Sequence, residues 1–141
     1  MAISLLKPAL YSANESTAAQ PPMLLGGRCA CGYLFFPMQR FGCERCGKNG
    51  GALTPASLRG SGKLITATVV HMHADKRRTV PFAVGTIALD DGPVIRALLS
   101  DISVAEHLQS AVVAELIVVT NEDGTQPRDL RFKRAPHSDR T

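Results

Sequence analysis

The sequence predicts a mainly β protein, in which a small cysteine-rich ribbon precedes a five-stranded barrel of the OB type. Three observations predict it. All four cysteines fall within 18 of the 141 residues, as Cys29-Ala30-Cys31-Gly32 and Cys43-Glu44-Arg45-Cys46-Gly47. From Lys63 the chain becomes dense in Ile, Val and Thr, broken by Pro81, by Asp90-Asp91-Gly92 and by Asn121-Glu122-Asp123-Gly124. Ser103, followed three positions on by Glu106, supplies one helix start among these apolar runs.

Taken in order, residues 1–22 read as a lead-in whose second half, Ser12 to Pro22, is small, polar and ends in Pro-Pro, so it behaves as a linker with little core upstream. Residues 23–58 form the ribbon, which is too poor in apolar bulk to fold on packing alone. Residues 59–133 form the barrel, with strands expected over 63–72, 82–89, 94–99, 114–120 and 130–133. The Asp90-Asp91-Gly92 turn makes 82–89 and 94–99 a hairpin. A short helix is expected over 104–110, capped by Ser103. The order β-β-β-α-β-β is that of the OB barrel. Residues 134–141 read as a frayed tail.

Length excludes a large multidomain enzyme, and 45% hydrophobic with 20% charged residues is an ordinary globular composition. With no Trp, two Tyr and five Phe, the chain offers a poor stacking platform for single-stranded nucleic acid. Met1 to Leu10 has no basic start and is interrupted by Lys7-Pro8, and no stretch approaches the ~18 apolar residues of a membrane span, so a cytoplasmic protein is expected. Without a secretory route the Asn14-Glu15-Ser16 glycosylation triplet carries no weight. The net charge of +4 conceals an acidic middle, 79–125, between basic flanks at 59–78 and 126–141.

Two close cysteine pairs, each followed by glycine, read as two knuckles donating four thiolates to one tetrahedral Zn²⁺. Such a structural zinc supplies ~10 to 16 kcal/mol, enough to fold the ribbon. The ligands are Cys29, Cys31, Cys43 and Cys46. The first knuckle, C-x-C, is one residue shorter than the second, C-x-x-C. A distorted knuckle or a substituted ligand would account for it. Iron also suits four thiolates, and disulfides are the alternative in an oxidising compartment. A closed four-ligand site leaves no open position for catalysis.

Other candidates carry less. His71 and His73 project from one face near a strand end, without a nucleophile beside them. Gly60-Ser61-Gly62-Lys63 fails as a phosphate loop, because Ser57 stands where the first glycine belongs and Leu64 follows the lysine. Those glycines let the chain turn from ribbon into barrel. Lys76, Arg77 and Arg78 lie in the loop after the first barrel strand, and Arg128, Arg131 and Lys133 lie on or beside the last. Either cluster suits phosphate groups or an acidic partner surface.

The succession Cys29-x-Cys31-Gly32, Phe36-Pro37, Gly42-Cys43-Glu44-Arg45-Cys46-Gly47, Gly62-Lys63-Leu64, Pro81-Phe82 and Leu89-Asp90-Asp91-Gly92 resembles the acyl-CoA-associated zinc-ribbon/OB family, once catalogued as a domain of unknown function. The resemblance covers about residues 24 to 121, and the C-x-C pair departs from members with two C-x-x-C pairs. It implies a rubredoxin-like zinc ribbon and a non-catalytic subunit of a thiolase-like acyltransferase complex, with acyl-CoA or CoA at the interface. Within the family, 31–37 and 41–47 are most similar to small zinc-binding subunits of benzoylsuccinyl-CoA thiolases, which implies anaerobic aromatic degradation. Partnership with an acyl-CoA hydratase, and single-stranded nucleic-acid binding, are the alternatives. As an independent enzyme the chain lacks any acid/base pair or activated nucleophile that can be assembled from its sequence.

Overall fold

The computed structural model describes residues 5–12, 22–71, 81–101, 103 and 106–135. The N-terminal sheet is built around β2 (Met23–Cys29), which pairs antiparallel along its length with β4 (Leu53–Leu58). On its other edge β2 takes two short strands, β1 (Tyr11–Ser12) at one end and β3 (Leu34–Phe35) at the other. A single 3-10 turn, Gly50–Ala52, leads into β4. Gly26 and Gly27 sit mid-strand in β2 because Phe35 lies across them. A Cβ on Gly27 would fall 2.3 Å from the Phe35 ring and 2.6 Å from the Met38 sulfur. A satellite core of Cys29, Phe35, Cys43 and Leu53 results, flanked by Tyr33 and Met38.

The barrel comprises β5 (Ser61–Val70), β6 (Phe82–Leu89), β7 (Val94–Leu99), β8 (Ala111–Val118) and β9 (Arg128–Arg134), closed in the order β5-β6-β7-β9-β8. That is the OB arrangement expected from sequence. In β6 the alternation of buried and half-buried residues is perfect, as two-residue periodicity demands. The hairpin between β6 and β7 turns at Gly92, whose φ of 122° only glycine adopts without strain. The last side of the barrel is the weakest: β7 and β9 run parallel and meet at Leu99 and Phe132. Leu64, Ile87, Val112 and Phe132 are fully buried inside.

Strands β8 and β9 start earlier than the composition suggests, at Ala111 and Arg128. Residues 111–113 pair with both Ser61–Lys63 and the end of β9, and this double pairing closes the barrel. The helix expected over 104–110 is corrected. Residues 104 and 105 lie outside the described residues. Ser103 and Glu106 have 3-10 geometry and His107–Ser110 form a turn, with Gln109 at a φ of 70°. The cause is the bulge in β5 between Leu64 and Thr66. It presents Leu64 to this segment, so that the Gln109 amide donates to the Leu64 carbonyl at 2.6 Å and the Leu64 amide to Ser110 at 3.0 Å. Strand-like pairing therefore outbids the helix. The Ser103 amide, which a capping box would give to Glu106, donates to the Asp101 carboxylate at 2.9 Å.

The segment before the linker adds more to the core than its composition suggests. Tyr11 is 1% exposed and joins one apolar cluster with Leu24 and Leu58 of the ribbon and Leu64, Ile95 and Phe132 of the barrel. Leu5 bridges to Arg128, and the Leu6 amide donates to the Arg128 carbonyl at 2.8 Å. At the junction, Gly60 and Gly62 are required by close approach. A Cβ on Gly60 would meet the Pro22 carbonyl oxygen at 2.3 Å, and one on Gly62 the Ala88 carbonyl oxygen at 2.4 Å. Among the described residues no helix is long and apolar enough to cross a membrane.

Candidate metal centre

Two turns bring the cysteines together. In the first, β2 ends at Cys29, the Gly32 amide donates to the Cys29 carbonyl at 2.8 Å, and the Cys29 amide donates to Tyr33. In the second, the Gly47 amide reaches the Cys43 carbonyl at 2.9 Å and the Cys43 amide donates to Lys48. Gly32 and Gly47 both adopt positive φ, 96° and 82°, which is why each pair is followed by glycine. The shorter first knuckle is closed one residue earlier, by a three-residue step where the second uses four. The tighter turn absorbs the missing residue without displacing a thiol.

All four Sγ atoms lie within 4.8 Å of one another. Cys29 and Cys46 approach to 3.4 Å and Cys31 and Cys43 to 3.8 Å. A tetrahedral site with metal–sulfur bonds of about 2.3 Å requires sulfurs about 3.8 Å apart, so the donor set fits one metal ion. None of the four is disulfide-bonded. Cys29 and Cys43 are buried and Cys31 and Cys46 exposed, which places the cluster at the rim of the satellite core.

The cluster's electrostatics are uneven. Burial opposes ionisation of Cys43, but the Cys46 and Arg45 amides and the neighbouring thiols of Cys29 and Cys46 hold it down to about 6. The Cys31 amide favours a thiolate at Cys29, yet burial and sharing of hydrogen bonds with the other three thiols push it up to about 12. Ionisation is favoured at Cys43 and opposed at Cys29. A divalent cation removes that conflict and displaces the protons.

His71 is exposed just past β5, whereas His73, Lys76, Arg77 and Arg78 lie outside the described residues. On β9, Arg131 is committed inward: its guanidinium donates to Asp129 at 2.5 Å and to the Leu130 carbonyl at 3.0 Å. Lys133 pairs with Glu115 at 3.0 Å in a largely exposed bridge. Arg128 is half-buried, and its carbonyl receives the Tyr11 hydroxyl at 2.9 Å. Among the described residues, Arg128, Arg131 and Lys133 therefore do not form one open cluster.

Sequence reasoning gave no weight of its own to Phe41, which is 92% exposed. Its position is fixed by Gln39, whose Oε1 accepts from the Phe41 and Gly42 amides at 2.6 and 3.1 Å while its Nε2 donates to the Gly42 carbonyl. The loop is anchored behind by Arg40, which donates to the Leu53 carbonyl at 2.8 Å. A lone aromatic beside glycine within a metal knuckle was the available signal, because so small a module has no core left to receive it.

A four-cysteine ribbon running directly into a five-stranded OB barrel defines a ribbon–OB protein with a metal-binding donor set. The family profile described as the ChsH2 C-terminal OB-fold domain matches residues 56–119, which include β5 to β8 entire. Over 114 residues the chain is 30% identical to the DUF35 domain-containing scaffold protein of Pyrococcus furiosus, covering 78% of this chain and 82% of that one. The chain belongs to the DUF35 family, with a barrel of the ChsH2 type, as the resemblance read from its sequence implied. The solved structure of the Ltp2-ChsH2(DUF35) aldolase is similar in fold, with a TM-score of 0.58 at 21% identity over 79% of this chain and 84% of that one.

Proposed function

We propose that this protein is a non-catalytic accessory subunit that docks on a thiolase-like catalytic partner and carries one structural zinc. The observation that carries this reading is the match to a protein named as a scaffold, which extends over most of both chains. The fold similarity to an aldolase named for Ltp2 and ChsH2(DUF35) together supports the same role. In this reading Cys29, Cys31, Cys43 and Cys46 hold Zn²⁺, which fixes the ribbon as a rigid arm. Phe41, held out from that arm, is the anchor that enters an apolar socket on the partner, since exposed preorganised aromatics make the strongest contacts at interfaces.

The finer reading is a partner that handles acyl-CoA thioesters, with benzoylsuccinyl-CoA thiolase as the specific candidate. Lys76, Arg77, Arg78, Arg128 and Lys133 then face the acidic partner surface or the CoA phosphates. Arg131 is withdrawn from that role by its bond to Asp129. Co-expression with the thiolase-like protein of the same host tests the proposal: a stable complex recovered through a tag on this chain is expected. Failure to copurify, together with full partner activity in its absence, would overturn it.

A further inference from the structure

A cavity of about 370 Å³ opens between the N-terminal segment, the ribbon and the barrel wall formed by β6, β7 and β9. It borders the side of the barrel where β7 and β9 meet at the one register of Leu99 and Phe132. Its walls are apolar, drawn from Leu10 of the N-terminal segment, Phe36 of the ribbon and Val84, Ala97, Leu98 and Leu130 of the barrel. Lys7 and Arg96 also line it, and both are exposed, so they stand at its mouth. Neither is in an ion pair among the described residues.

Among the described residues one acidic side chain, Asp129, also lines the cavity. Its charge is already answered: one oxygen accepts from the Tyr11 hydroxyl at 3.1 Å and from the Leu130 amide at 2.8 Å, and the other from Arg131. The electrostatic balance left at the opening is that of the two cations. An apolar chamber with a cationic mouth is complementary to an amphipathic anion. At the small end of the roughly 300–1,000 Å³ range of ligand sites, the chamber has room for a medium-length chain or a single ring.

We propose that this cavity binds an amphipathic carboxylate, with its hydrocarbon body against Phe36, Val84 and Leu98 and its carboxylate between Lys7 and Arg96. The arginine fork suits that head group by bidentate contact. Such a ligand touches the N-terminal segment, ribbon and barrel at once, so it reports on how they are held together. The site is a property of this chain and stands or falls independently of any docking partner.

The test is titration of the metal-loaded full chain with sodium decanoate, followed by ¹H–¹⁵N correlation spectra. Saturable shifts are expected at the amides of Val84, Ala97, Leu98 and Leu130, with decan-1-ol binding about ten-fold more weakly because it lacks the charge. Arg96→Glu, at an exposed position, should leave the unliganded spectrum intact and weaken decanoate about ten-fold. Ala97→Trp, which fills the chamber, should abolish binding of both probes; if that variant misfolds, Arg96→Glu alone decides. Shifts that never saturate, that centre on the exposed Phe41, Leu108 and Val118, or that ignore Arg96→Glu would mean detergent-like adsorption and overturn the proposal.

Discussion

The Tyr11 hydroxyl and the Asp129 carboxylate, 118 positions apart in the chain, lie 3.1 Å from each other in the interior. The hydroxyl shares its proton between this oxygen and the Arg128 carbonyl, and accepts in turn from the Lys7 amide. One side chain thereby ties the N-terminal segment to the last barrel strand. Replacing Tyr11 with Phe keeps the packing and removes the bonds, leaving Asp129 with Arg131 and the Leu130 amide. We expect a loss of about 1–2 kcal/mol in urea unfolding. Asp129→Ala leaves the Tyr11 hydroxyl with the Arg128 carbonyl and the Lys7 amide but takes the carboxylate away from the largely buried Arg131, and should cost more, about 2–3 kcal/mol.

The same pair sets a pH dependence at both extremes. Burial, reinforced by the Asp129 charge, pushes the Tyr11 hydroxyl up to about 12. A folded value raised above the ordinary one near 10 gives stability that is whole below pH 10 and is lost as pH climbs toward about 12. Burial works against the Asp129 carboxylate, but Arg131, the Leu130 amide and the Tyr11 hydroxyl hold it below the usual carboxylate range. Its contribution is present above the unfolded value and disappears as pH falls through the folded one. The stability gap between wild type and Tyr11→Phe should therefore be flat near neutrality and narrow between pH 10 and about 12. Denaturant melts across that range check it.

Metal analysis should find one zinc per chain. Chelation, or Cys43→Ser, should lower the thermal midpoint by more than about 10 °C, since a structural zinc is worth on the order of 10 kcal/mol and each kcal/mol moves a domain of this size by several degrees. Acidification should release the metal, because protons compete for every thiolate. Substoichiometric metal with an unmoved midpoint would contradict the assignment.

Phe41→Ala should leave stability within about 0.5 kcal/mol, because the ring touches solvent. On the docking role proposed above, its effect falls on the partner. Capture of the catalytic partner should weaken by about 30-fold or more, which corresponds to the 2 kcal/mol of an interface anchor. Gln39→Ala, which frees the loop, should weaken capture less. Both are read by surface plasmon resonance on the purified complex.

Gly27→Val places carbon atoms where the Phe35 ring and the Met38 sulfur already lie. We expect destabilisation of about 2–3 kcal/mol by overpacking, with weakened metal retention because Phe35 packs beside Cys29 and Cys43. Competition with a chromophoric chelator measures the second effect.

The ribbon and barrel were legible where local pattern and long-range pairing agree. The alternation in β6 and the two cysteine pairs speak for themselves within a few residues. Tyr11 was not legible, since a tyrosine ahead of a polar linker gives no sign of an aspartate on the last strand, and Asp129, next to Arg128 and two residues before Arg131, reads as surface. The segment 104–110 misled for a related reason: its capping signal is local, while the carbonyl that captures Gln109 belongs to a bulge in β5. The gathering of the four cysteines was readable from type and spacing, but the cavity was not. It is made by residues from three separate regions of the chain.

The shared burial of Leu24 and Leu58 with Leu64 and Phe132 has a consequence for modularity. Ribbon and barrel meet without a spacer at Gly60, where even a methyl group lacks room, and Arg59 clasps Asp91 of the first barrel hairpin at 2.9 Å. The ribbon is thus not an interchangeable cassette. A chimaera carrying a foreign ribbon would have to bring its own Leu24, Leu58 and Tyr11 equivalents, shaped to this barrel.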